Sequence, residues 1–481
     1  MTNPNCTSSK LFGQNGELWK ADGRFIDPSY AGYHTGIAPI PDVDGPVKRL
    51  SDFNASGNDT ADDTAALQMA IDQTTGVLLI PAGRWIITKR IDIRKSNLVI
   101  RGEGPDKTTL FFPSALSETN PGDANYPFNG GFLWLTGTDP GATVGMITAN
   151  AARGAKTLPV SSTAGVEVGQ WVRIVQTDRG GTLFRALHGG ANAGNGAEDG
   201  GEEVFHFYSK VTAVGATSVT LERTLPFEVN TNWSPQLKRA APTVREVGIE
   251  HLALEMASGT YPGHFNERGY NGIYFDGAHD SWVRNVKILN ADFGLSLYRS
   301  YFCTVTNVII DANIDRGGLT GHHALNAARG ADNWFTEFDV RKRYIHDLTV
   351  DGYVMGTVWS KGKGVDMNMD HHGRAPYGNL WTNLDMGRGS RAYNNGGAAN
   401  RLPPAAAYNT FWNLRGTGNI GLPNGGYGPY LNFVGPGLSG GAATWSVENI
   451  PTDALCQTDI HEFMLARRKS GMSPAASMMD R

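Results

Sequence analysis

Residues 344–377, YIHDLTVDGYVMGTVWSKGKGVDMNMDHHGRAPY, concentrate the acid–base chemistry of this 481-residue chain. Val365, Met367 and Met369 alternate with Asp366, Asn368 and Asp370, the period-2 pattern of a strand with one buried and one wet face. That pattern predicts two carboxylates and an amide in a row. Lys361 and Lys363 precede the row and His371, His372 and Arg374 follow it, all between positions 361 and 374.

Two reactions suit such a set. Asp366 and Asp370 are four strand positions apart, ~13 Å at ~3.3 Å per residue. Paired carboxylates of glycoside hydrolysis sit roughly 5–9.5 Å apart, so hydrolysis needs a partner such as Glu337, Asp339 or Asp347 from a neighbouring segment. β-Elimination on a uronic-acid polymer needs a cation to neutralise the C6 carboxylate and a base to take the C5 proton. Lys363 or His372 supplies the base, Arg374 or Arg343 the cation, and Asp366 and Asp370 orient substrate or hold a metal. The residues do not fix a metal: calcium with Asp ligands is open, and no HxH or HExxH spacing marks a zinc site. Basic and acidic side chains balance at nine each from residue 299 to 374, so the region is not a strongly positive groove.

Five of the twelve histidines, His322, His323, His346, His371 and His372, fall between positions 322 and 372. Strand geometry sends the two members of a doublet to opposite faces, so at most one of each doublet is expected to face a groove. His346 shares parity with Leu348 and Val350, which predicts a buried, hydrogen-bonded ring. Trp359 and Tyr377 offer faces for stacking on sugar rings or for filling a core. With His322, His323, Arg343 and Lys361 they make up the expected substrate-binding set.

These groups meet only if the chain stacks on itself. A strand motif recurs as IEHLAL (249–254), RNVKI (284–288), TNVII (306–310), HDLTV (346–350), TNLDM (382–386) and WNLR (412–415). Coils with loops of unequal length, stacked about 4.8 Å apart, bring distant segments side by side. Asn285, Asn307, Asp347, Asn383 and Asn413, which precede a hydrophobic residue in this motif, read as turn and ladder residues. Upstream, Ala66, Leu67, Ala70 and Ile71 repeat at helical spacing behind Asp62 and Asp63. A short helix there would cover the open end of the stack.

That helix and the strands after it, DDTAALQMAID (62–72), VLLIPAG (77–83) and LVIRGEG (98–104), resemble the start of the pectate-lyase-like superfamily. The resemblance implies an all-β fold, a right-handed parallel β-helix with an N-terminal capping helix. It also implies a polysaccharide or oligosaccharide partner, shared among lyases, hydrolases, epimerases and tailspikes. Homotrimers are common among proteins of this shape. The chain carries neither a pectate-lyase calcium motif nor the polygalacturonase series of Asn-x-Asp, Asp-Asp and Gly-His-Gly. β-Elimination is preferred, glycoside hydrolysis is the alternative, and a non-catalytic glycan-binding β-helix is the third reading.

The expected organisation is an irregular arm (1–48), capping helix and first coils (49–150), an inserted small β-subdomain with the Gly-rich loop 189–201 (151–235), the main coils (236–450), and a helix with a disordered tail (451–481). A formal net charge of −4 from 42 basic and 46 acidic residues gives no footprint of a nucleic-acid partner. No apolar run is long enough to span a membrane. Secretion or a periplasmic location is expected if a signal peptide has been removed. Cys6, Cys303 and Cys456 are far apart and odd in number, so no disulfide framework is expected.

Overall fold

The computed structural model describes residues 5–190 and 203–471. The chain winds into a right-handed parallel β-helix, and among the described residues two parallel sheets form its long walls. The first, 16-stranded sheet runs from Val47–Arg49 through Val247–Met256 and Thr304–Asp311 to Ser446–Asn449. The second has seven strands, among them Asn271–Asp276, Phe293–Tyr298, His323–Ala328, His346–Asp351 and Met369–His371.

Registry follows side-chain parity. Leu295, Leu325, Leu348 and Met369 are partners in successive coils and are buried in one core. Like stacks on like, and each such side chain contributes about 1.5–3 kcal/mol of burial. The ring of Trp359 lies in this interior between Phe335 and Trp381, at centroid distances of 4.0 and 5.1 Å. It is core, which removes it from the substrate-binding set.

The recurring polar residues have a backbone reason. His251, Asn285, Asn307, Glu337, Lys361, Asn383 and Asn413 occupy the same bend in seven successive coils, each with φ between +51° and +57°. Asn tolerates this left-handed conformation better than most residues, and Asn307 donates to the Oδ1 of Asn285 at 3.0 Å. Asp347 is not part of this ladder. HDLTV belongs to the second sheet, while the other five copies of the motif belong to the first; periodicity alone does not separate two walls of similar composition.

The helix Thr64–Gln73 buries Leu67, Ala70 and Ile71. Asp62 accepts from the Thr64 N–H at 3.0 Å and Asp63 from the Ile86 N–H at 3.0 Å, so these carboxylates tie the helix to the first coils. A six-stranded antiparallel sheet covers 143–239, from Thr143–Met146 to Gln236–Arg239. Its apolar face includes Ile174, Phe207 and Leu237 and packs on Tyr301, Tyr353 and Tyr377 of the β-helix. Positions 191–202 of the Gly-rich loop and the tail from 472 lie outside the described residues.

Cys6 and Cys456 form a disulfide, with Cα atoms 4.9 Å apart across 450 positions of sequence. The expectation of no disulfide is thereby corrected. The arm runs back over the coils, Phe12 and Phe25 pack with Trp412 and the helix Ile460–Lys469, and the two ends of the chain meet.

Candidate functional site

The segment 361–374 is not one strand. Lys363–Gly364 pairs with Asp339–Val340 beside the first sheet, whereas Met369–His371 pairs with His346–Asp351 in the second. Between them the coil turns a corner. Met367 enters the core and Val365 points outward, 46% exposed. Asp366 and Asn368 are corner staples: Asp366 accepts from the N–H and hydroxyl of Ser390 at 2.9 and 2.8 Å, and the Asn368 and Asp347 side-chain oxygens each accept from the other residue's backbone N–H, at 2.7 and 2.9 Å. A local alternation cannot register such a bend, because Asp366, Met367 and Asn368 are buried in succession while Val365 is not.

That corner divides the expected site residues. Lys363 lies 65% exposed, 3.7 Å from Asp339, and Lys361 pairs with Glu462 of the C-terminal helix. Arg343 faces Asp366 at 3.8 Å. Tyr377 is buried under the antiparallel sheet, its hydroxyl donating to the Pro226 carbonyl at 3.1 Å. His371 points into the core, 3.0 Å from the Tyr427 hydroxyl, and burial lowers it to about 4. A buried, satisfied Asp366 is also unfit as an acid, base or substrate orienter. Asp366, His371 and Tyr377 are corrected on burial, while Lys361, Lys363 and Arg343 make their ion pairs outside the histidine cluster.

Asp370, His372, His322 and His323 do converge, with His346 and with a residue the sequence reading missed, His264. Phe293, His323 and His346 are partners in successive strands. On the same outward face Ser296, Asn326, Thr349 and Asp370 form a second column. His264 comes from the loop before Asn271–Asp276, and no spacing in the sequence ties it to the doublets.

Asp370 is the hinge of the cluster. Its Oδ2 lies 2.7 Å from His372 Nδ1, 3.1 Å from His346 Nδ1 and 3.3 Å from the donating Thr349 hydroxyl, and its Oδ1 accepts from the Gly396 N–H at 2.6 Å. The contact with His346 is close without hydrogen-bond alignment, and both His346 ring nitrogens lack a hydrogen-bond partner. The doublet 322–323 splits as strand geometry requires only in part, since both rings face this cluster: His323 reaches the Thr349 hydroxyl at 2.8 Å, and His322 Nε2 reaches His264 Nε2 at 3.0 Å. A Cβ on Gly396 would come within 2.5 Å of both His346 and His372; only glycine fits there.

Burial and neighbouring imidazoles hold His322 down to about 3 and His323 well below its usual range, and burial holds His346 at about 4. His372 moves the other way. Burial opposes its charge, but the adjoining Asp370 overrides that and lifts it to about 9. Asp370 itself is raised by burial and pulled by the two imidazoles to well below the usual carboxylate range. The result is one ion pair in a nest of neutral rings.

At the other end of the same strands, between the β-helix and the antiparallel sheet, lies a cavity of about 430 Å³, lined among others by Tyr298, Arg299, Arg329, Gly352 and Tyr353. That volume falls in the range of small-molecule sites, roughly 300–1,000 Å³. Arg299 is held bidentate by Asp276 at 2.8 and 2.7 Å. The Tyr208 hydroxyl donates to Asp139 at 2.9 Å, and Arg173 donates to the Asp139 carbonyl at 3.0 Å. Gly352 lies between the two groups: a side chain there would meet Arg329 at 3.1 Å and Arg374 at 3.6 Å, and Asp351 contributes to the field at His372.

Residues 49–132 match a family described as rhamnogalacturonase A/epimerase, pectate lyase-like. No curated protein matches the chain. Among solved structures, the tailspike protein gp49 from Pseudomonas phage LKA1 is similar over 84% of this chain and 77% of its own, with TM-score 0.52 and 15% identity. That likeness is one of fold. The Pseudomonas phage phi297 tailspike gp61 (TM-score 0.40, 12% identity, covering 85% and 76%) and the Yersinia enterocolitica family 28 exopolygalacturonase (TM-score 0.31, 11% identity, covering 84% and 77%) are more distant.

Proposed function

We propose that this chain, a member of the pectate-lyase-like superfamily of right-handed β-helices, cleaves an acidic polysaccharide by β-elimination at the histidine cluster of the second sheet. A sugar residue seats in the cavity lined by Tyr298, Arg299 and Arg329, and the bond to be cut extends past Gly352 toward His372. Arg374 neutralises the C6 carboxylate. His372 is charged below about 9 beside Asp370, so it takes the C5 proton in the neutral form that alkaline pH supplies; the C5–H electrons form the C4–C5 double bond, the C4–O bond breaks, and the departing oxygen receives a proton from water.

The observation that carries this reading is the buried Asp370–His372 pair. Asp370 fixes which ring nitrogen is engaged, as an orienting carboxylate does for a catalytic imidazole. Hydrolysis by paired carboxylates is less well served: Asp366 and Asp347 are both consumed by backbone, Ser390 and Arg391 contacts. The Cys6–Cys456 disulfide supports an oxidising compartment.

The test is a panel of uronic-acid and neutral polysaccharides. The parent chain is expected to release an unsaturated, ultraviolet-absorbing product, and His372→Ala to abolish it. Reducing ends without that absorbance would replace elimination by hydrolysis. Glycan binding with no product from the parent would leave a binding β-helix instead.

A further inference from the structure

We propose that His264, His322 and His346 form a binding site for one divalent transition-metal ion of the zinc class. One ring nitrogen from each residue lies within 4.8 Å of the others, and the two Nε2 atoms of His264 and His322 are 3.0 Å apart. Two nitrogens bound tetrahedrally at about 2.0–2.1 Å from zinc are themselves about 3.3 Å apart. The rings therefore stand close to the spacing that an ion would impose.

Three separate segments bring them there. His322 and His346 are fixed by the coil: the His322 N–H donates to the Asp292 carbonyl, and the His346 N–H to the His322 carbonyl, both at 2.8 Å. His264 arrives from a loop, its ring stacked on Phe265 at 3.6 Å. Phe265 is 59% exposed and held at φ +67°, a conformation that costs free energy for a bulky residue and is kept where the surroundings impose it.

Unpaired nitrogens point to a ligand. His346 is 4% exposed, yet neither ring nitrogen has a hydrogen-bond partner. Buried polar groups are almost always satisfied. Behind two of the rings stand carboxylates, Asp370 Oδ2 at 3.1 Å from His346 Nδ1 and Glu267 Oε1 at 3.4 Å from His322 Nδ1. A carboxylate on Nδ1 leaves Nε2 to bind an ion, and this arrangement recurs behind metal-ligating histidines. Nitrogen donors select a zinc-class ion over calcium, which takes oxygen. Three protein ligands leave a fourth position for water or a ligand oxygen.

The test uses the full chain, stripped with a chelator and dialysed, then titrated with Zn²⁺ alone and separately with Co²⁺. Because no glycan is present, its outcome is independent of the cleavage assay. The expected results are one tight equivalent of Zn²⁺ and the intense visible absorption of tetrahedral Co²⁺. His264→Ala, in an exposed loop where folding is not at stake, is expected to weaken binding by more than about 100-fold. His34→Ala, in the unrelated cluster with Glu246 and Asp280, is expected to leave it unchanged. Sub-stoichiometric uptake would mean a hydrogen-bonded imidazole pair only and would overturn the assignment. Binding that survives His264→Ala, or displacement of Zn²⁺ by an equal concentration of Ca²⁺, would overturn it too.

Discussion

The two ends of the second sheet are made of similar parts and treat them differently. At the cavity end, charges are spent on one another: Arg299 on Asp276, and Arg173 and Tyr208 on Asp139. At the histidine end, one carboxylate serves two imidazoles and the rings of His346 are left without hydrogen bonds. The cavity end keeps two unpartnered nitrogens of its own, Arg173 Nε and His206 Nδ1, but its carboxylates are committed to fixed partners, which suits positioning and recognition. An unsatisfied network is available to a proton, an ion or a reacting group.

The sharpest break in that contrast would come from kinetics. His372→Ala is expected to lower the cleavage rate by about 10²–10⁴, the usual worth of a positioned acid–base group. Tyr298→Ala, in the cavity, is expected to raise KM with little change in kcat, as loss of ground-state binding does. Equal effects on kcat from both would erase the distinction.

Stability separates the ends next. Asp370→Ala removes a fully buried partner from His372 and is expected to cost about 3–5 kcal/mol in urea unfolding. Asp276→Ala leaves Arg299 with its side chain 55% exposed, so about 1 kcal/mol or less is expected. A larger loss at Asp276 would reverse the ranking.

Acid provides a third probe, at the cavity end. His279 is buried and His206 half-buried beside the cavity, and desolvation holds them at about 3 and about 4. Their folded values lie below the ordinary unfolded value of about 6.5. The neutral form is favoured by the fold, so this contribution is complete above pH ~6.5 and is lost as pH falls toward 4 and then 3. Urea midpoints measured across that window are expected to decline, and His206→Gln to make the decline shallower. The smallest effect is expected from Lys363→Ala: activity within about twofold of the parent, since a surface ion pair is worth about 0–1 kcal/mol.

The coil architecture was legible because it repeats. IEHLAL, RNVKI and TNVII recur in register, and the amphipathic helix at 64–73 precedes them. The candidate site was legible in half. Asp370, His372 and the doublet at 322–323 drew notice by density of titratable groups, and stacking brought them together. Lys361, Lys363 and Trp359 were drawn in by proximity in sequence, but the corner at Asp366–Asn368 sends them to the other wall. His264 and Glu267 sit in a loop whose path depends on the coils beneath it, and no local pattern encodes that. The disulfide was hidden for the same reason: only the winding of all the coils brings Cys6 to Cys456.

The most direct test is the structure of His372→Ala soaked with an acidic oligosaccharide. The expected result is sugar density in the cavity against Tyr298 and Arg329, with the next glycosidic oxygen beside Gly352 and directed at position 372. Density along the first sheet near Lys361 and Lys363, with the cavity empty, would contradict the assignment of this end of the second sheet as the place of reaction.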